Sequence, residues 1–188
     1  MKPAKGQLPY VQNAYILLLL WGWLGFINNF FFGYIPGVMA TGYWYGMVQE
    51  IMQLMLPIIG IGYSLFYLLR YVKGHLDETI RLLILIWAGL LVSMVLVNLI
   101  IQNVNGMVSF ELQHPIFMTL IALAITLTGQ VTRQRLVILG GVAFACLALA
   151  SSFLDLSQQQ MLEAIGWLVA FVLPGHWIQF KSLKTTLD

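Results

Sequence analysis

Residues 82–101, LLILIWAGLLVSMVLVNLII, decide the fold. The run carries no charge, and its only polar side chains are Ser93 and Asn98. A helix rises about 1.5 Å per residue, so a run of this length reaches about 30 Å, the thickness of a bilayer's hydrocarbon core. Backbone groups in lipid must be satisfied within the segment or in a closed barrel. The run lacks the two-residue alternation of a barrel strand, so it reads as a transmembrane helix.

The rest of the chain repeats this pattern. Apolar stretches predict six spans, at about 14–34, 51–71, 82–101, 115–131, 136–154 and 164–180, joined by short polar connectors. In 188 residues this leaves no room for a soluble domain, and residues 1–188 read as a single polytopic membrane domain. Composition agrees: 60% of residues are hydrophobic and only 9% charged, against roughly 25% charged in soluble domains. The expected fold is an all-α bundle of six transmembrane helices.

The nine Lys and Arg residues orient it, because short loops rich in these residues stay on the cytoplasmic side. Lys2 and Lys5 precede the first predicted span; Arg70, Lys73 and Arg81 flank the second connector; Arg133 and Arg135 flank the fourth; Lys181 and Lys184 follow the last span. The other three connectors hold none, and carry Glu50, Glu111, Asp155 and Glu163 at or near span ends. Both termini are therefore expected in the cytoplasm, with the bacterial inner membrane, or an equivalent, as the setting. The net charge of +2 forms no basic patch, so the expected partner is the lipid bilayer and not nucleic acid.

A signal peptide ending at "GVMA" before Thr41 is the competing reading of residues 1–40, but the first apolar run is too long for the usual h-region of up to about 15 residues. No lipidation signal is evident. Spans two and six share a glutamine and glutamate start and an internal proline, yet Glu50 to Pro57 and Glu163 to Pro174 differ in spacing, so no inverted repeat is read. Cys146 is the single cysteine, which rules out an intrachain disulfide or a thiolate metal cage.

Candidate functional residues lie on polar helix faces. Gly22, Gly25 and Asn29 share one face of the first span, a small polar side opposite bulky Leu, Phe and Trp. On the second span Glu50, Gln53, Pro57, Gly60, Ser64 and Tyr67 form a stripe at three- and four-residue steps, interrupted by the proline, which cannot donate a backbone hydrogen bond. Asn98, Gln102 and Asn105 end the third span, and Thr119, Thr126 and Gln130 mark the fourth. Gly141, Ala145, Ala148 and Ser152 give the fifth a small-residue packing face, which predicts a central position for it. A solute path would be lined by Asn29, Glu50, Gln53, Pro57, Ser64, Tyr67, Asn98 and Thr126. Each of these faces also has a plainer reading as packing between helices.

No Asp, Glu, Lys, Arg or His lies near the centre of any span as drawn, which argues against proton coupling. Glu111 and His114 in "ELQHPIF", with Asp155 or Glu163, could compose a nitrogen-and-carboxylate metal site or an acid–base pair at the outer face, although the spacing also suits a solvated helix cap. His75 and His176 fall near the cytoplasmic ends of spans two and six, without the aligned interior partners a haem needs. No GxSxG, HExxH or P-loop pattern is present, and no cofactor is expected. The expected function is a small-solute permease, or the membrane component of a transport system, with a neutral polar path. An accessory, scaffold or sensor subunit that binds other membrane proteins is the first alternative; a membrane enzyme or outer-face metal site is the second. Beyond the bilayer, the expected partners are other membrane proteins or further copies of the chain.

Overall fold

A computed structural model describes residues 15–39, 43–72 and 78–187, and helix accounts for nearly all of them, with no strand among the described residues. Six helical rods follow one another. The first, α1, runs Tyr15–Val38, with a π turn at Phe30–Tyr34. It is followed by α2 (Tyr43–Tyr67, extended by a π turn at Leu68–Val72), α3 (Glu78–Asn105), α4 (Phe110–Thr132) and α5 (Arg135–Ser151). The last, α6, begins at Leu156–Trp167, widens into a π turn at Leu168–Val172 and continues as Leu173–Leu187. Five of the six are long and apolar enough to cross a membrane; α5, at 17 residues, is shorter, about 25 Å. The rods correspond to the six predicted spans. Lys2, Lys5, Lys73 and His75 lie outside the described residues.

Small residues set the packing, as they must in lipid, where apolar burial gives helices little reason to associate and close van der Waals contact does the work. The small face of α1 meets α6 along its whole length: Gly22 faces Phe171 and Val172, Gly25 faces Trp167, Gly33 faces Gln160 and Gly37 faces Ser157. The residue numbers fall on α6 as they rise on α1, so the two helices are antiparallel. Gly22, Gly25 and Asn29 are all buried there, as their spacing predicts.

On its other side α6 meets α5. A methyl group on Gly140 would lie 2.8 Å from the Ala170 Cα, so only glycine allows these two backbones to approach. Phe144 fills the space over Gly166 and stacks edge-on against Trp167, with ring centroids 5.9 Å apart. The core gathers at these contacts: Met118 and Ile125 of α4, Phe144 and Ala148 of α5, and Ala170 and Phe171 of α6.

The central helix is therefore α6 and not α5. Half of its most apolar stretch is buried, against 11% for α3. The packing face of α5 is Val137, Gly140, Gly141, Phe144, Ala148 and Ser151, whereas Ala145 and Ser152 from the expected face are exposed. Helix α2 lies chiefly on α1 and helix α3 chiefly on α4, with Trp87 of α3 also reaching Phe171.

The α4–α5 turn is closed by Arg133 in the left-handed conformation (φ 57°), with Arg133 N–H donating to the Gln130 carbonyl and Gln134 N–H to the Gly129 carbonyl. This is a Schellman closure with arginine where glycine is usual. Among the described residues Arg70, Arg81, Arg133, Arg135 and Lys181 fall at one end of the bundle and Glu50, Glu111 and Asp155 at the other.

Candidate functional site

The start of α6 corrects the placement of Glu163. Hydropathy alone puts the sixth span at 164–180 and leaves Glu163 in a connector, but the helix begins at Leu156, capped by Asp155. The Asp155 carboxylate accepts from the Gln158 N–H (2.9 Å) and from the Ser157 hydroxyl (2.8 Å). Those bonds hold its pKa below the ordinary value of 3.8. Glu163 thus lies two helical turns inside α6, about 10 Å from its start, and is 8% exposed. The bundle does enclose an ionisable residue.

Three helices supply its partners. Asn29 of α1 donates through Nδ2 to Glu163 Oε1 (3.2 Å) and also to the Gly25 carbonyl (3.0 Å). Trp167 Nε1, one turn further along α6, donates to the same Oε1 (3.1 Å). His114 of α4 places Nδ1 2.7 Å from Glu163 Oε2. An ionised carboxylate only accepts, so in that pairing Nδ1 carries the hydrogen.

Local structure fixes each donor. Gly25 has no side chain, so the Trp167 ring lies directly on α1. Asn29 and Trp167 each immediately precede a π turn, closed by Ile35 N–H to the Phe30 carbonyl on α1 and Leu173 N–H to the Leu168 carbonyl on α6. Such single-turn π insertions recur at functional sites. His114 is carried in the first turns of α4, just before Pro115.

Other polar residues at this end complete the surroundings. Gln113 is buried and donates to Asn98 Oδ1 (2.6 Å), which also accepts from Gln102 (3.1 Å), tying α3 to α4. Gln159, one turn before Glu163 on the same face of α6, is 2% exposed. Its Nε2 donates to the Leu154 carbonyl (3.0 Å), while its Oε1 is buried without a partner. The Asn28 amide oxygen is likewise buried without a partner.

The residues expected to line one path do not come together. Gln53 donates to the Phe32 carbonyl (2.7 Å), and Ser64 accepts from Trp21 Nε1 (3.0 Å) and donates to the Gly60 carbonyl. Both thereby fasten α2 to α1. Pro57 and Glu50 are exposed on α2, Tyr67 is buried near its far end, and Thr126 returns its hydroxyl to the Ala122 carbonyl. Of the proposed path only Asn29 joins the Glu163 network.

Of the outer-face metal candidates, His114 and Glu163 meet, whereas Glu111 is exposed and Asp155 serves as a cap. Among the described residues no three His, Cys, Asp or Glu side chains gather. Trp167 was missed by sequence reasoning, although Gln159, Glu163 and Trp167 at four-residue steps mark one helix face. An open groove of about 330 Å³ between α4 and α5, with Pro115, Thr119, Ala148 and Ser152 on its walls, lies outside this network.

The helices define a membrane-compatible, multi-pass, all-α chain whose polar centre is Asn29, His114, Glu163 and Trp167. Comparison with protein-family models, with curated proteins and with solved structures gives no match.

Proposed function

We propose that the chain is a small-solute permease, or the membrane component of one, threaded with both termini in the cytoplasm and its acidic end outward. One observation carries this reading: a carboxylate buried inside a membrane-length helix, gripped by side chains from two other helices. Ionisable groups are costly at such depth, face the bundle interior and mark solute or ion pathways. On this reading Asn29, His114, Glu163 and Trp167 hold the solute near the outer mouth. The neutral stripe of α2 then has a packing role.

The test is stopped-flow light scattering of vesicles carrying the purified protein, shocked with glycerol, urea or methylammonium chloride. At least one solute should re-enter at least tenfold faster than in protein-free vesicles, and Glu163→Gln should abolish the gain. Rates equal to those of protein-free vesicles for all three solutes would refute it.

A second reading, an accessory subunit that binds another membrane protein, is favoured by the way α2 rests chiefly on α1 and turns Leu54, Ile58 and Leu65 outward. A stoichiometric partner retained through gentle detergent extraction would support it over the first.

A further inference from the structure

We infer that the Glu163 site takes a small monovalent cation bearing N–H donors, of the ammonium or protonated-amine class. The inference rests on reading this site as the solute-binding centre, and it follows from which hydrogen-bonding positions are already filled. Every donor turned toward the carboxylate is engaged: Asn29 Nδ2 and Trp167 Nε1 on Oε1, His114 Nδ1 on Oε2. The position left over is an acceptor: Gln159 Oε1, on the same face of α6 one turn from Glu163, is buried with no partner in a side chain only 2% exposed. Buried polar groups are almost always hydrogen-bonded, so an orphaned acceptor one helical turn from a buried carboxylate asks for a donor.

Charge selects among donors. The described helix segments around the site bring amides and aromatic rings to this level, and the charged side chains at this end of the bundle, Glu50, Glu111 and Asp155, are acidic. The described Lys and Arg residues fall at the opposite end. The Glu163 carboxylate, 8% exposed, stands in a medium where a negative charge is costly. An anion would add to it, and a neutral solute would leave it. A monovalent cation cancels it, and one with N–H groups also satisfies Gln159.

The probe is radiolabelled methylammonium, with binding measured by equilibrium dialysis on the full chain in lipid nanodiscs at constant pH. One ion per chain should bind, with affinity at least tenfold lower in Glu163→Gln and in Gln159→Met. Ammonium chloride should compete, while sodium chloride at equal ionic strength and glycerol should not. Gln159→Met keeps the volume and leaves the three bonds to Glu163 in place, so it remains informative if Glu163→Gln fails to fold.

No binding, binding unchanged in both variants, or equal competition by sodium would overturn the inference. Binding does not require transport, so the two readings fail separately. Methylammonium bound by a protein that passes no solute would remove the permease and keep the cation site. Glycerol or urea flux without methylammonium binding would do the reverse.

Discussion

Replacing Glu163 by leucine should cost about 3 kcal/mol of stability. The substitution keeps roughly the same volume but removes the acceptor for three donors on three helices. Interhelical hydrogen bonds in bilayers average about 0.6 kcal/mol, with a maximum near 1.7. An ionised acceptor roughly doubles the strength of each bond. Three bonds of this strength, two between helices and one within α6, give about 2–4 kcal/mol. Asn29 keeps its bond to the Gly25 carbonyl and the His114 side chain is 20% exposed, which places the loss near the middle of the range. Trp167 Nε1 is left without its acceptor and accounts for the largest share.

Glutamine at the same position retains an acceptor oxygen for Asn29 and Trp167 but turns an amide donor toward His114. The ring must then accept through Nδ1 and carry its hydrogen on Nε2. The expected cost is about 1 kcal/mol, the worth of an ordinary hydrogen bond. The assay is reversible unfolding in mixed micelles, followed by circular dichroism. Glu163→Leu should lower the folded-to-unfolded ratio roughly a hundredfold and Glu163→Gln by less than tenfold. A leucine variant within about 0.5 kcal/mol of wild type, below one average interhelical bond, would refute the network.

Gly25→Leu should destabilise by about 2 kcal/mol, because its side chain would occupy the space of the Trp167 ring. Gly46→Leu, which meets nothing within 4 Å, should be neutral in the same unfolding assay. Arg133→Gly should stabilise by about 1 kcal/mol by relieving the left-handed backbone of the α4–α5 turn. Asp155→Ala should lower the Tm at pH 7. Since folding depresses the Asp155 pKa, its contribution is complete above 3.8 and lost as pH falls through the folded-state value, so wild type and variant should converge on acidification. Reporter fusions at both termini should register as cytoplasmic and a tag in the 41–49 segment as external; the opposite pattern would invert the threading.

How much of this was legible depended on the range of the signal. Hydropathy located all six rods, and the three- and four-residue spacing of Gly22, Gly25 and Asn29 identified the buried face of α1. The same spacing marked Gln53 and Ser64 as inward-facing but could not say that α1 would engage them. It misjudged α5, where two overlapping small-residue faces compete and the partner helices choose the one through Gly140 and Ala148.

The sequence by itself determined where the helices run and the alternation of basic and acidic connectors, because both follow from transfer of local segments between water and lipid. Only the tertiary structure decided that α6 is central, that it begins at Leu156, and that Glu163 meets Asn29 across 134 positions of chain and His114 across 49. The reason is physical: local pattern fixes which face of a helix is polar, whereas the choice of the face opposite it is made by packing among helices distant in sequence. Polar residues such as Gln158–Gln160 lower the hydropathy of a segment to the same degree whether water or another helix satisfies them.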